Sequence, residues 1–241
     1  MKDIDIHANI VILTGAGVSQ ESGIDTFRDV GGIWEKIRLE DVATPGAFAR
    51  NPELVHQFYN ELRSKLLSAI IKPNNAHHAL VELEQKWNGN VIIITQNVDD
   101  LHERAGSTNV IHMHGELLKA RCEECEAVTS WTGNLSRSTN CPSCGVGARM
   151  RPHVVWFGEI PFGEIEIYEA LNQCGIFISI GTSGTVYPAA NLVEIARNAG
   201  AHTVELNLEP SAGASNFIEK KYGPATNIVP EYVHKLLHSV A

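Results

Sequence analysis

The sequence predicts an α/β fold: a doubly wound parallel sheet with a small metal-binding insert. Three observations carry this. Apolar, β-branched runs recur at NIVIL (9–13), NVIIIT (90–95), GIFISIG (175–181) and HTVELN (202–207), and they read as strands buried on both faces. Helical patterns alternate with them, at about 51–70, 75–88, 98–106, 187–199 and 229–240. Cys122, Cys125, Cys141 and Cys144 form two Cys-x-x-Cys pairs fifteen residues apart, the spacing of a closed, four-thiolate structural zinc site.

Along the chain, each element has a local reason. MKDIDIHANIVIL carries two acidic residues and runs straight into the first strand, unlike a signal or transit peptide. Residues 23–70 show no clear strand and read as a helical insert or a lid. Residues 119–150 break the strand–helix rhythm with cysteines and the polar loop GNLSRSTN, and read as an inserted zinc module. The metal there replaces a core that so short a segment cannot build. Pro188 and Pro230 suit first helical turns. Cys174 lies outside the metal pattern and reads as a small buried hydrophobe.

Composition narrows the function. The chain has 241 residues, 44% of them hydrophobic and 20% charged, which is ordinary for a globular protein. A formal net charge of −9 argues against nucleic-acid binding, and so against reading the cysteines as a DNA-binding zinc ribbon. Five cysteines, four of them in the zinc pattern, suggest a reducing compartment and a cytoplasmic location. No stretch is long and apolar enough to span a membrane.

Chemistry-bearing residues gather at the ends of the predicted strands. The first strand ends in TGAGVSQESG, with Gly15 and Gly17 where a strand turns into a helix. Two readings stand: a pyrophosphate cradle at a helix N-terminus, or a tight turn. Gln20 takes the place of the third glycine of the dinucleotide fingerprint. The second strand delivers Gln96, Asn97 and Asp99 to its carboxyl end, where open α/β sheets bind ligands. Helix capping is the plainer role for Asn97 or Asp99. In VIHMHGE, His114 precedes Gly115 and is a natural general base. His112 shares its face of the strand, while His77 and His78 read as surface or packing residues. Gly181, Thr182 and Ser183 offer a second phosphate loop, and Asn207 with Glu209 can bind ribose hydroxyls.

GAGVSQESGIDTFR, TQNVDDLH, HMHGE, the paired cysteines, PHVVWFGE, GTS and NLE occur here in an order and spacing that resemble the sirtuins, the NAD-dependent protein-lysine deacylases. The resemblance covers about residues 9 to 233. It implies a Rossmann-like large domain (about 1–28, 75–118 and 151–241) and a small domain made of a helical insert (29–74) and the zinc module (119–150), with a cleft between them. By match of motif, Gly15, Ala16, Gly17, Phe27, Arg28, Gly181 and Ser183 line the NAD pocket. Gln96, Asn97 and Asp99 surround the nicotinamide and its ribose. Asn207 and Glu209 meet the phosphates and adenosine ribose, and Ala225 lies beside the adenine. His114 is the implied base. Val155, Phe157, Gly158 and Glu159 on one side, and Gly184, Val186 and Tyr187 on the other, clamp the substrate peptide by strand addition. The implied reaction passes the acyl group of a lysine to ADP-ribose, releasing nicotinamide. The implied partners are acylated-lysine proteins or peptides, without nucleic acid or membrane, and the chain is expected to act as a monomer. ADP-ribosyl transfer to protein and a silent NAD-binding module are the competing readings.

FRDVGG, DVATPGAFARNP and QFYNEL further resemble the class III subgroup, which removes acidic acyl groups. That likeness implies a wide acyl pocket at Ala43 and an acid-binding hydroxyl on Tyr59. The arginine implied three residues after the tyrosine is replaced by Leu62, and Arg63 follows one position late. On a helix Arg63 lies about 40° from Tyr59, within reach of the same site. Deacetylation with weaker desuccinylation is the expectation.

Overall fold

The computed structural model describes residues 5–24 and 38–238. Phe27, Arg28 and the FRDVGG motif lie outside them. Six strands form one sheet: β1 (Asn9–Thr14), β2 (Val91–Thr95), β3 (Val110–His112), β7 (Cys174–Ile180), β8 (His202–Asn207) and β9 (Glu219–Tyr222). Their order is β3-β2-β1-β7-β8-β9, and every pairing is parallel. The order therefore runs outward in both directions from β1 and β7. The crevice beyond the carboxyl ends of those two strands is where such a sheet takes its ligand.

Alternation along the strands sorts the core into two layers. Ile10, Ile12, Ile93, Ile178 and Val204 face α3 (Asn75–Lys86) and α7 (Ala225–His238), against Leu80, Leu83, Val229 and Tyr232. Val11, Leu13 and Phe177 face α5 (Glu164–Asn172) and α6 (Leu192–Asn198), against Ile167, Leu171 and Leu192. Cys174 is buried there, its thiol donating to the Ile176 carbonyl, and burial pushes its pKa up to about 11.

Several expected elements shift. The segment after β1 forms two single 3-10 turns, Ala16–Val18 and Gln20–Ser22, rather than an α-helix. The helix expected over 98–106 shortens to α4 (Leu101–Ala105), because residues 96–99 are bonded to the β1 loop and to the start of α4. α7 begins at Ala225, so Pro230 lies inside it. That earlier start is fixed by Glu21, whose carboxylate accepts from the Thr226 amide and hydroxyl at 3.0 and 2.7 Å. Pro188 precedes a 3-10 turn, Ala189–Asn191.

A second sheet of three antiparallel strands, in the order β5-β4-β6, carries the cysteines: β4 (Gly115–Cys122), β5 (Val128–Ser130) and β6 (Met150–Val154). Its buried core is Ala120, Cys122, Leu135, Cys141 and Met150, two of them cysteines. The helical insert, α1 (Pro45–Arg50) and α2 (Pro52–Leu66), packs on this sheet through Phe48, Val55, Phe58 and Tyr59 against Leu117 and Trp156.

Arg63 joins the two parts. It is 1% exposed. Its guanidinium donates to the carbonyls of Leu117 (3.0 Å) and Gly133 (3.3 Å) and to the Asn60 side chain (2.9 Å). Asn60 in turn bridges the Leu135 amide and carbonyl. Burial lowers the Arg63 pKa to about 10. Arg63 was expected to reach the acyl site; the hydrogen bonds it makes run to β4, Asn60 and the zinc module. Arg63→Met removes three hydrogen bonds, one of them to the buried Leu117 carbonyl. It is expected to lower stability by roughly 2–4 kcal/mol, read as a drop in Tm. A variant that melts with the wild type would refute the joining role.

Candidate active site

Backbone packing builds the crevice. The Gly15 amide donates to Ile180 O, Gly17 to Gly181 O, and Gly181 to Leu206 O. A Cβ on Gly15 would lie 2.8 Å from Gly181 O, and one on Gly17 would lie 2.7 Å from Gly181 Cα. Gly181 itself has φ +62°. These glycines are thus required by the contact of two loops, whatever they bind. Ala16 lies between the first two. A cavity of about 200 Å³ opens beside them, lined by Gly17, Gln20, Glu21, Asn207, Leu208 and Ala225. The Asn207 side chain donates to Thr182 O at 2.8 Å, and Glu209, two residues on, is exposed. Ser183 sits in the facing loop, its hydroxyl 2.8 Å from that of Thr185. A larger groove, about 460 Å³, runs between α2 and the zinc module past Glu53, His56 and Arg137. It lies away from the strand ends, where the residues named below converge.

The β2 end holds a polar relay. Asn97 Nδ2 donates to Gly15 O and to the Ser19 hydroxyl, each at 3.2 Å. Ser19 donates to Asp99 Oδ2 at 3.0 Å. Asp99 Oδ1 accepts from the Leu101 amide, so the aspartate caps α4 with one oxygen and meets the crevice relay with the other. Burial raises its pKa to about 6, against the pull of those two donors. Gln96 donates its backbone amide to Thr14 O. Ser19 was not singled out in the sequence, although it lies within the GAGVSQESG motif. Only the fold brings it between Asn97 and Asp99.

Two histidines of HMHGE brace consecutive carbonyls of that same segment. His112 Nδ1 lies 3.3 Å from Asn97 O, and His114 Nδ1 lies 3.2 Å from Gln96 O. A carbonyl only accepts, so Nδ1 carries the proton in each. In His114 this leaves Nε2 with a free lone pair. Burial holds its pKa below the ordinary histidine value, so the neutral form persists at pH 7. His112 differs because Nε2 meets Glu103 at 2.6 Å. Burial opposes its protonation, but the Glu103 carboxylate outweighs it and the pKa rises. His77, by contrast, is fully buried in the α3 capping box and packs on His102, while His78 is exposed.

The loop after β6 is tied to His114. The Val155 amide donates to His114 O at 2.9 Å, and the Phe157 amide to Ala43 O at 2.9 Å. Glu159 is fully engaged: it accepts from Arg151 (2.7 and 2.9 Å), Arg121 (2.9 Å) and the Trp156 amide (2.8 Å). Its role is to shape the loop rather than to face solvent. Gly158 has φ +90° at the turn, and Phe157 is exposed. Segment 184–187 is likewise without strand pairing, with Gly184 at φ +68° and Val186 and Tyr187 exposed. Behind the loop, the Trp156 indole donates to the Tyr59 hydroxyl at 3.0 Å. The Arg151 guanidinium lies 3.2 Å over the Trp156 ring.

The Sir2 family model matches residues 15–188. The chain belongs to the Sir2 family. The NAD-dependent protein deacylase of Escherichia coli K12 is 57% identical over 228 residues, 95% of this chain and 82% of that protein. The protein of the same name in Vibrio vulnificus is 56% identical over 231 residues, 96% of this chain and 94% of that one. Among solved structures, a Sir2 homologue in complex with NAD superposes with TM-score 0.87 at 38% identity, covering 97% of this chain and 91% of that one. Sir2Af2 bound to a myristoylated histone peptide superposes with TM-score 0.75 at 34% identity, covering 97% and 93%.

The thiolates of this Sir2 chain fit a zinc ion. Sγ atoms of Cys122 and Cys144 are 3.9 Å apart, those of Cys125 and Cys141 3.7 Å, and all four lie within 4.8 Å of one another. Zn–S bonds of about 2.3 Å at tetrahedral corners require edges of about 3.8 Å. The Glu124 and Ser143 amides donate to the first sulfur of each pair. One zinc per chain is expected on metal analysis. Cys122→Ser or Cys144→Ser should lose the metal and lower Tm together with solubility. Freshly purified, active protein without zinc would overturn this.

Proposed function

We propose that the crevice at the β1, β2, β7 and β8 ends holds NAD in a fixed direction. The nicotinamide half lies at Gln96, Asn97 and Asp99. The pyrophosphate lies along Gly15, Ala16, Gly17, Gly181 and Ser183, and the adenosine half lies at Asn207, Glu209 and Ala225. Phe27 and Arg28 complete the pocket by motif. The chain is an NAD-dependent protein-lysine deacylase. NAD supplies the ADP-ribosyl group that takes up the acyl group as nicotinamide is released.

The observation that carries the residue roles is the tautomer of His114. Gln96 O fixes the proton on Nδ1, so Nε2 enters the crevice as an acceptor, and burial keeps it unprotonated. It withdraws a proton from the ribose side of the reaction. Asn97 and Ser19 hold the Asp99 carboxylate where positive charge develops, and a desolvated carboxylate interacts strongly there. Val155 to Glu159 and Gly184 to Tyr187 lie outside the two sheets and receive the acylated peptide as an added strand. The His114–Val155 bond keeps that strand in line with the base. Zinc, held by Cys122, Cys125, Cys141 and Cys144, supports the small sheet and takes no part in the chemistry.

His114→Ala should reduce turnover about 10²–10⁴-fold with fold and zinc content intact. The wild-type kcat/KM should fall on acidification below pH 6.5, since the lowered pKa of His114 keeps the base form present above that value. Near-wild-type turnover in the purified variant would remove His114 from the mechanism.

Acyl choice follows from the wall of the small domain. Ala43, Tyr59, Trp156 and partly buried Leu62 share one apolar cluster. The Tyr59 hydroxyl is already an acceptor for Trp156, which leaves its own proton to give. Arg63 is turned to β4 and Arg151 to Glu159. A terminal carboxylate on the acyl chain thus meets the Tyr59 hydroxyl and the apolar Leu62, where the resemblance implies an arginine. Acetyl-lysine is therefore the better substrate. Leu62→Arg should raise kcat/KM on succinyl-lysine by roughly tenfold or more and leave acetyl-lysine little changed. Matched peptides decide it. A wild type that strongly prefers succinyl-lysine would overturn the reading of Leu62.

A further inference from the structure

Glu205 is the one buried carboxylate besides Asp99 among the described residues, and the chemistry above gives it no task. It lies in the middle of β8 and is 1% exposed. An apolar side chain would fill such a position at no desolvation penalty, whereas a buried carboxyl needs partners to be tolerated. Its partners are specific. Oε1 accepts from the Ser211 backbone amide at 3.2 Å, and Oε2 accepts from the Tyr222 hydroxyl at 2.8 Å. Ser211 belongs to the loop that follows β8 and carries Glu209. The next amide in that loop, Ala212, donates to Ser183 O at 3.1 Å. A Cβ on Gly184 would come within 3.3 Å of Ser211 Cβ and Oγ. One end of this loop is pinned by Asn207 on Thr182 O, and the other by Ser183. Glu205 supplies the third point, from beneath.

We propose that Glu205 is a positioning residue for the adenosine-ribose end of NAD. Its carboxyl latches the 208–213 loop onto the sheet, so that Asn207 and Glu209 are presented at a fixed height beside the Ser183 loop. The inference rests on the placement of the adenosine half given above. The Tyr222 bond secures the same carboxyl to β9 and does not reach the loop.

Titration with ADP-ribose, followed by calorimetry beside steady-state kinetics and thermal melting, tests this. Glu205→Leu should weaken ADP-ribose binding about tenfold and raise KM for NAD in parallel, with kcat and peptide KM within about twofold. Glu205→Gln should bind within about threefold of wild type, because an amide oxygen still accepts from Ser211 while its NH2 meets the tyrosine oxygen. Tyr222→Phe should leave ADP-ribose affinity unchanged even where it lowers Tm. A Glu205→Leu variant that binds ADP-ribose as tightly as the wild type overturns the latch, as does a Glu205→Gln variant as weak as Glu205→Leu. If Glu205→Leu does not fold, amide hydrogen exchange on the wild type decides. The Ser211 amide should be protected to the level of β8, and fast exchange there overturns the proposal. Asn207→Ala and Glu209→Ala separate the two layers of the argument. If both bind ADP-ribose normally, the adenosine placement is wrong and the latch falls with it. If they weaken binding and Glu205→Leu does not, only the latch is wrong.

Discussion

Everything in the crevice depends on backbone meeting backbone where the β1 and β7 loops cross. Gly15 and Gly17 lie so close to Gly181 that no side chain fits between them. That contact fixes the distance between the two halves of the sheet's carboxyl edge. The β2 segment is hung from it by Asn97, through Gly15 O, and by Gln96, through Thr14 O. The β8 loop is hung from its other side through Thr182 and Ser183. Displacing one loop by an ångström would therefore move the relay, the base and the ribose rim together. A site assembled this way gains its order from the sheet rather than from its ligand.

The electrostatics follow the same geometry. Two ionisable groups at the β2 and β3 ends are pushed toward one another by burial: Asp99 upward, to about 6, and His114 downward. Water exclusion costs the fold something at Asp99. Yet it is also what lowers the His114 pKa, and a carboxylate so desolvated interacts strongly with any positive charge at short range. His112 is the counterexample: at the end of β3, the Glu103 carboxylate raises its pKa. Two histidines two residues apart thus shift in opposite directions, because one has an acidic neighbour and the other a carbonyl alone.

Much of this was legible in the sequence, for stated physical reasons. The four buried strands announced themselves by unbroken β-branched runs, and the cysteines by a spacing that little else requires. β9 was missed because EKKY is charged, as befits an outer strand, and α5 because its acidic first turn hides the apolar pair Ile167 and Leu171. A glycine pair after a strand suggested a helix, but 3-10 turns formed because Gly17 is held to Gly181. Ser19 meets Asp99 80 positions away, Glu205 meets Ser211 6 away, and Arg63 meets Leu117 and Gly133 54 and 70 away. Periodicity carries no signal for such contacts. For Arg63, helical angle alone gave no sign of these bonds, since what the guanidinium meets is decided by the zinc module it supports.

β9 carries one more consequence. It is one of the two margins of the six-stranded sheet, the kind of edge along which proteins aggregate. Here that edge is lysine-rich. Lys220 is exposed, and Lys221 is paired with Glu231 on α7. Glu219 is drawn inward to Lys235 and His202. A second chain adding a strand would have to dehydrate Lys220 and disturb pairs that already fasten β9 to its own helix. The strand that finishes the sheet therefore also guards it against growing further.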